Sequence, residues 1–78
     1  PAPQPTRILI IDDHRLFNDG LRLMLADVPD LAVIGQIYHS PDALQAVAEH
    51  QPDVLIIDFN MPELDGLDLT RQFIASRK

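Results

Sequence analysis

The sequence contains no cysteine and no tryptophan, and only 3 of its 78 residues are glycine. Without cysteine, a disulfide framework and thiol chemistry are excluded. No glycine-rich phosphate loop is present, which argues against a nucleotide-binding protein of that type. No apolar run approaches the roughly 18 residues that a membrane span requires, and no signal-peptide pattern opens the chain. We therefore expect a cytoplasmic location without membrane contact.

Basic residues are also scarce in this chain. The 12 acidic residues outnumber the 6 basic ones, and the formal net charge is -6. Nucleic acid would repel such a chain overall, whereas a cation or a basic partner would suit it. The apolar content of 46% is ordinary for a globular protein. A chain of this length forms one domain at most, and that domain is marginally stable alone.

Two strands are predicted, at residues 7–11 and 54–57, because residues 8–11 and 54–57 are uninterrupted apolar segments. Neither segment alternates with polar residues, which is typical of strands that are buried on both faces of a sheet. Asp12 and Asp13 follow the first segment, and Asp58 follows the second. Each predicted strand therefore ends in a carboxylate.

A third, less apolar segment at residues 31–38 fits an edge strand. Helical periodicity over about 14–26, 41–50 and 66–78 completes the order β-α-β-α-β-α, with Ser40 as one predicted N-cap. Parallel strands joined by right-handed helical crossovers are the expected result. We therefore predict an α/β fold with a doubly wound parallel sheet.

Each predicted helix has an apolar face that we expect to be buried. The face of the first helix comprises Leu16, Phe17, Leu21, Leu23, Met24 and Leu25. The wet side of that helix comprises Asn18, Asp19 and Arg22. The face of the second helix comprises Leu44, Val47 and Ala48. The face of the third helix, with Asp65 as its N-cap, comprises Leu67, Leu69, Phe73 and Ile74.

The two most apolar strands are predicted neighbours, which gives the strand order 2-1-3. The carboxyl ends of parallel strands meet at one edge of the sheet, so Asp12, Asp13 and Asp58 are expected to converge there. A hard cation such as Mg²⁺ would relieve their mutual repulsion, and the main-chain oxygen of Asn60 would add a ligand. Such a metal leaves room for a phosphoryl group, with Asp58 as the candidate nucleophile.

These motifs resemble the receiver domain of bacterial two-component response regulators. The resemblance depends on Asp12-Asp13-His14, on Asp58, on Asn60-Met61-Pro62 and on Asp65-Gly66. The spacing of Leu16-Phe17, Gly20-Leu21, Pro29-Asp30 and Gln51-Pro52-Asp53 is most similar to the NarL/FixJ (LuxR-type) subfamily. Members of that subfamily usually carry a DNA-binding domain after the receiver, through which they regulate transcription.

The resemblance implies a role for each acid. Asp58 would be the phosphoacceptor, taking a phosphoryl group from a phosphohistidine of a sensor histidine kinase. Asp13 would ligate Mg²⁺ directly, Asp12 would act mainly through water, and Asn60 would give its main-chain oxygen. The domain would take part in phosphotransfer without being an enzyme itself.

The length departs from the family pattern, because family receivers have five strands. We therefore expect a partial receiver at residues 7–78. Residues 1–6 contain three prolines and no charge, and we expect them to be a disordered lead-in. The outer edge of strand three would lack a partner, which favours a homodimer or a swapped assembly. An alternative function follows: a chemically inert interaction module that associates through this edge.

Two other interpretations of the acidic motif remain open. Asp12 and Asp13 are also suitable helix caps, and in that case they would have no role in metal binding. His14 is either a metal ligand or a solvated residue of the first helical turn. Mg²⁺ prefers oxygen, which favours the solvated residue.

Overall fold

The computed structural model describes residues 4–58, 60–61 and 64–76. The elements are β1 (Thr6–Ile11), α1 (Arg15–Ala26), β2 (Leu31–Ile37), α2 (Ala43–His50), β3 (Val54–Ile57) and α3 (Gly66–Ser76). A 3₁₀ turn at Ser40–Asp42 leads into α2. The start of the predicted lead-in (residues 1–3), Pro62 and the predicted helix end at residues 77–78 lie outside the described residues. No described helix has the length and apolar character needed to cross a membrane.

The sheet has the predicted parallel topology. β1 pairs in parallel with both β2 and β3, in the order β2-β1-β3. The α/β doubly wound fold and the strand order 2-1-3 are therefore confirmed. The lead-in is shorter than predicted, because Thr6 already belongs to β1 and its N–H donates to the carbonyl of Asp30 over 2.8 Å.

β1 forms the centre of the core, as its composition predicted. Ile8 to Ile11 are all buried, with three of them at 0% exposure. Side chains alternate along a strand, so Leu9 and Ile11 share one face of the sheet. On that face they pack with residues of α2 and α3, namely Ala43, Ala46, Val47 and Leu69. Ile8 and Ile10 face the opposite side, where α1 lies against β1 and β2.

β2 contains one residue more than its partner. Ile8 pairs with Val33 and Leu9 pairs with Gly35, so Ile34 is the additional residue of a β-bulge. Side chains beyond the bulge are thereby inverted, and Ile37 packs against the same core as Leu9. A Cβ on Gly35 would lie 2.8 Å from Cδ1 of the fully buried Leu9, so a larger residue at this position would require that side chain to move.

β3 is less buried than its sequence predicted. Val54 is 40% exposed, and the next three residues are half-buried. Among the described residues, β3 pairs only with β1, so its other edge has no strand beside it. The expectation of a strand buried on both faces is therefore wrong for β3, although it holds for β1.

α1 turns a different side to the sheet than its pattern predicted. Asn18, expected in water, is 0% exposed, whereas Leu16 is 90% exposed. Asn18 faces inward because its amide meets main-chain carbonyls at the ends of β1 and β2. We call the exposed apolar side of this helix the α1 stripe; it comprises Leu16, Phe17, Leu23 and Met24. No described atom lies within 4 Å of a Cβ built on Gly20, so close packing does not explain that glycine.

The other helices also differ in phase from the prediction. In α2 the buried residues are Ala43, Ala46 and Val47, while Leu44 and Ala48 are exposed. The α-helix begins at Ala43, after the 3₁₀ turn, and its buried face lies one residue before the predicted one. In α3, Leu69 is buried and Phe73 is half-buried, while Leu67 and Ile74 are exposed. The predicted cap is present, because Asp65 Oδ1 accepts from the N–H of Asp68 at 3.0 Å.

The amino end of the sheet is secured by Arg7. Its guanidinium donates to the carbonyls of His50 and Gln51 over 2.6 and 2.8 Å, where α2 ends. A cation at this position satisfies carbonyls that a helix terminus leaves free and complements the helix dipole. The N–H of Arg7 also donates to the Asp53 carboxylate over 2.9 Å. Gln51 itself has a φ of 46°, in the left-handed region.

Replacing Gln51 with glycine is expected to raise the free energy of unfolding by about 0.5–1 kcal/mol, because glycine adopts positive φ without steric cost. Urea denaturation followed by circular dichroism measures the change. Ala48→Gly is the control at an exposed interior position of α2, and it should lower the free energy by about 1 kcal/mol. Equal or lower stability of Gln51→Gly would contradict the expected relief of strain.

Candidate metal centre

The carboxylates predicted to converge are brought together by the ends of two paired strands. Asp12 follows β1, and its N–H donates to the carbonyl of Ile37 over 3.0 Å. Asp58 follows β3, and its N–H donates to the carbonyl of Ile11 over 2.9 Å. These bonds extend the parallel ladders by one residue, so both acids stand on rigid backbone at the same edge of the sheet.

Four side chains form the cluster: Asp12, Asp13, His14 and Asp58. Each offers one potential ligand atom, and these atoms all lie within 4.8 Å of one another. The carboxylates differ in exposure, with side-chain values of 8% for Asp12, 17% for Asp58 and 37% for Asp13. Asp12 is therefore nearly enclosed, while Asp13 is the most open to solvent.

Local hydrogen bonds orient two of the carboxylates. Oδ1 of Asp12 accepts from the N–H of His14 over 2.9 Å. Oδ1 of Asp58 accepts from the N–H of Asn60, also over 2.9 Å. Both are turns in which a carboxylate binds the backbone two residues on, which stabilises the loops after β1 and β3. The predicted role of Asn60 concerns its carbonyl oxygen and stays a prediction.

His14 lies over the acids. Its ring is 72% exposed, yet its Nδ1 lies 3.0 Å from Asp12, 3.2 Å from Asp13 and 3.4 Å from Asp58. The residue is the N-cap of α1, whereas the sequence predicted it in the first helical turn. The hydrogen bond with Asp12 raises the pKa of His14 above its usual value, and the charges of Asp13, Asp12 and Asp58 add to this effect. The imidazole is solvated, as expected, and when protonated it is also an ionic partner of the three acids.

Sequence reasoning missed one residue beside this cluster. The side-chain amide of Asn18 donates to the main-chain carbonyl of Asp12 over 3.0 Å. An asparagine among apolar helix positions is typical of a solvated side, so the pattern gave no signal for this contact. Only the position of Asn18 one turn after the acids hinted at it.

This geometry agrees with the comparison to known families. The chain matches the family model described as the response regulator receiver domain over residues 8–78. Because the match covers most of the chain, the protein belongs to the response regulator receiver domain family. The family predicted from the motifs is confirmed.

Several relatives are response regulators. Response regulator GacA of Pseudomonas viridiflava is 40% identical over 70 residues, which are 90% of this chain and 33% of GacA. Transcriptional regulatory protein DegU of Brevibacillus brevis is 38% identical over 68 residues, which are 87% of this chain and 29% of DegU. The chain spans about a third of the length of these curated relatives.

Solved structures share the fold. The signal receiver domain of the response regulator NarL from Mycobacterium tuberculosis matches with a TM-score of 0.83 and 29% identity, over 96% of this chain and 60% of that one. A second match, with a TM-score of 0.72 and 28% identity, is to the crystal structure of the P1 domain of CheA3 in complex with CheY6 from R. sphaeroides. That match covers 88% of this chain and 54% of the other. The flavodoxin-like receiver topology is thereby established.

In the metal-free chain, the pKa of His14 is expected to lie above 6.5. The stabilisation from its protonated ring is present below about 6.5 and is lost as the pH rises through the higher folded value. NMR titration of the His14 ring measures this pKa. Asp13→Asn should move it down towards 6.5, because one of the facing charges is removed.

Asp27→Asn is the control for this titration. It also removes one carboxylate charge, but at the C-cap of α1, which is separated from His14 by the 12 residues of the helix. Charges at that separation are largely screened at physiological ionic strength. Equal shifts of the His14 pKa in both variants would contradict a local cause.

Proposed function

We propose that this chain is the phosphoacceptor receiver domain of a two-component response regulator, in which Asp58 accepts a phosphoryl group in the presence of Mg²⁺. The observation that supports this most directly is the meeting of Asp12, Asp13 and Asp58 at the ends of two paired strands. Family membership favours this function over an inert interaction module. A cytoplasmic location suits such a domain.

The donor set fits a hard divalent cation. Three carboxylates and the main-chain oxygen of Asn60 supply oxygen only, which Mg²⁺ prefers over nitrogen. Asp13 and Asp58 would ligate the ion directly, and Asp12, the most enclosed carboxylate, would act mainly through water. When bound, Mg²⁺ neutralises the carboxylates and the oxygens of an incoming phosphoryl group.

Asp58 carries the chemical step. One of its carboxylate oxygens attacks phosphorus and forms an O–P bond, while the P–N bond to the donor histidine breaks. The electron pair of that bond returns to the imidazole ring, so no oxidant or further reactant is needed. The N–H of Asn60 holds Oδ1 of Asp58 at 2.9 Å and so fixes the direction of the carboxylate. A rigid strand end and a fixed carboxylate favour in-line attack.

The proposed donor is a phosphohistidine of a sensor histidine kinase or its phosphotransfer domain. Support comes from the structural relative CheY6, which was crystallised with the P1 domain of CheA3. A transcriptional output is proposed from the relative DegU, a transcriptional regulatory protein. That output would belong to a longer protein, because the chain spans only about a third of such relatives. The described part of the chain is not proposed to bind nucleic acid.

Asp58→Asn is expected to abolish labelling of the native gene product by acetyl phosphate, because the attacking carboxylate is gone. Mass spectrometry of the intact protein measures the added phosphoryl group. Asp42→Asn is the charge-matched control on the turn before α2, and it should be labelled like the unaltered protein. Labelling of Asp58→Asn would refute the assignment.

A second measurement uses the 78-residue chain. Beryllofluoride with Mg²⁺ mimics a phosphorylated aspartate, so calorimetric titration with both should show binding if the site is competent. Absence of any beryllofluoride response would favour the inert interaction module over a competent acceptor.

We further propose that the 78-residue chain self-associates through β3. Within the described residues, the outer edge of β3 has no partner strand, and Val54 on it is 40% exposed. Unpaired strand edges pair readily with another chain. Two copies joined at β3 would form a six-stranded sheet around a two-fold axis.

Light scattering at micromolar concentration is expected to show a dimer of the 78-residue chain. Val54→Lys should convert it to a monomer, because a lysine on an edge strand opposes pairing with another chain. Leu23→Lys places the same charge on the α1 stripe and should leave the dimer intact. If only Leu23→Lys abolishes the dimer, the contact lies at the α1 stripe and not at β3. A monomeric unaltered chain would refute self-association.

A further inference from the structure

Asn18 is a fully buried polar side chain directly beneath the acidic cluster. It lies one turn into α1 and has 0% exposure. Its Nδ2 donates to the carbonyls of Asp12 and Ile37, over 3.0 and 3.2 Å. Its Oδ1 accepts from Nε2 of Gln36 over 2.9 Å. The amide thus connects α1 with the carboxyl ends of β1 and β2.

The acceptors fix the orientation of this amide. Two main-chain carbonyls can only accept, so the NH₂ group of Asn18 must face them and its oxygen must face Gln36. The NH₂ group of Gln36 also donates to the carboxylate of Asp19 over 2.9 Å, which agrees with that orientation. Both protons of Asn18 Nδ2 are therefore used, and a flipped amide would place oxygen against two carbonyls.

These bonds restrain the chain immediately before the predicted metal ligand Asp13. The N–H of Asp12 donates to the carbonyl of Ile37, and the carbonyl of Asp12 accepts from Asn18. Both sides of Asp12 are therefore held, and the peptide that joins it to Asp13 is fixed in direction. Because Asp13 is the most exposed of the three carboxylates, its position depends mainly on this backbone.

We propose that Asn18 is a positioning residue that sets the affinity of the acidic cluster for a divalent cation. It does so by holding the peptide between Asp12 and Asp13 so that both carboxylates face Asp58. Gln36 has a smaller part, since it orients the amide of Asn18. This inference rests on the proposed function of the cluster as a Mg²⁺ site.

The test compares Mg²⁺ affinities of the 78-residue chain by isothermal titration calorimetry. Asn18→Leu keeps the branched shape of the side chain in a larger volume and removes all three hydrogen bonds, and it should weaken Mg²⁺ binding about tenfold, as loss of groups that orient metal ligands commonly does. Gln36→Leu should weaken binding less, because Asn18 remains. Unchanged affinity in folded Asn18→Leu overturns the proposal.

Two controls separate positioning from a loss of stability. Tyr38→Phe removes the hydrogen bond from Tyr38 to Asp19 at the outer end of the same network, without touching Asn18. Leu21→Ala lowers stability from a half-buried position on the inward side of α1. Both should bind Mg²⁺ like the unaltered chain, and equal weakening in Leu21→Ala overturns the proposal. If Asn18→Leu does not fold, Gln36→Leu decides: weaker binding supports the proposal and unchanged binding overturns it.

A second readout needs no metal. Backbone order parameters from ¹⁵N relaxation should fall at Asp13 and His14 in Asn18→Leu and stay unchanged in Tyr38→Phe. Absence of Mg²⁺ binding in the unaltered chain would overturn the proposed function of the cluster. In that case, order parameters unchanged in Asn18→Leu would also overturn the positioning role.

Discussion

Repulsion between three carboxylates at one edge of the sheet is the constraint that the rest of this structure meets. Asp12, Asp13 and Asp58 are held within 4.8 Å because two parallel strands end side by side. Like charges at such distances cost free energy unless something compensates them. Main-chain donors bind one oxygen each of Asp12 and Asp58, and the His14 ring lies against all three acids. The fold tolerates the cluster because rigid backbone, rather than the side chains, brings it together.

The central position of β1 is what makes this arrangement possible. Its four buried residues anchor both faces of the sheet, and its end lies between the ends of β2 and β3. Bonds from Asp12 to Ile37 and from Asp58 to Ile11 tie the three ends into one edge. The amino end is stabilised separately, where the Arg7 guanidinium binds the last carbonyls of α2. Structural and chemical demands are thus placed at opposite ends of the same strands, as in other open α/β sheets.

The strand order was predictable because the continuous apolar residues of β1 indicate a buried, central strand. The acidic cluster was predictable from that order. The buried face of each helix was not predictable, because apolar periodicity defines a face of the helix but does not show which face packs against the sheet. Asn18 shows this most clearly: its burial depends on carbonyls of Asp12 and Ile37, which are not part of the helical pattern that predicted the buried face. Likewise, the buried face of α2 lies one residue before the predicted one. The contact of His14 with the acids depends on a rotamer, about which its position in the sequence says nothing.

The additional residue Ile34 has a consequence for how this gene can change over generations. Loss of the Ile34 codon would restore an uninterrupted ladder with β1 and would leave the later residues of β2 with their present partners, because Gly35 already pairs with Leu9. Ile37 would therefore keep its place against the core, and Gln36 would keep its reach to Asn18. Loss of one residue at this margin of the sheet is therefore expected to persist over generations, at the cost of the extra local twist that a bulge gives to its strand.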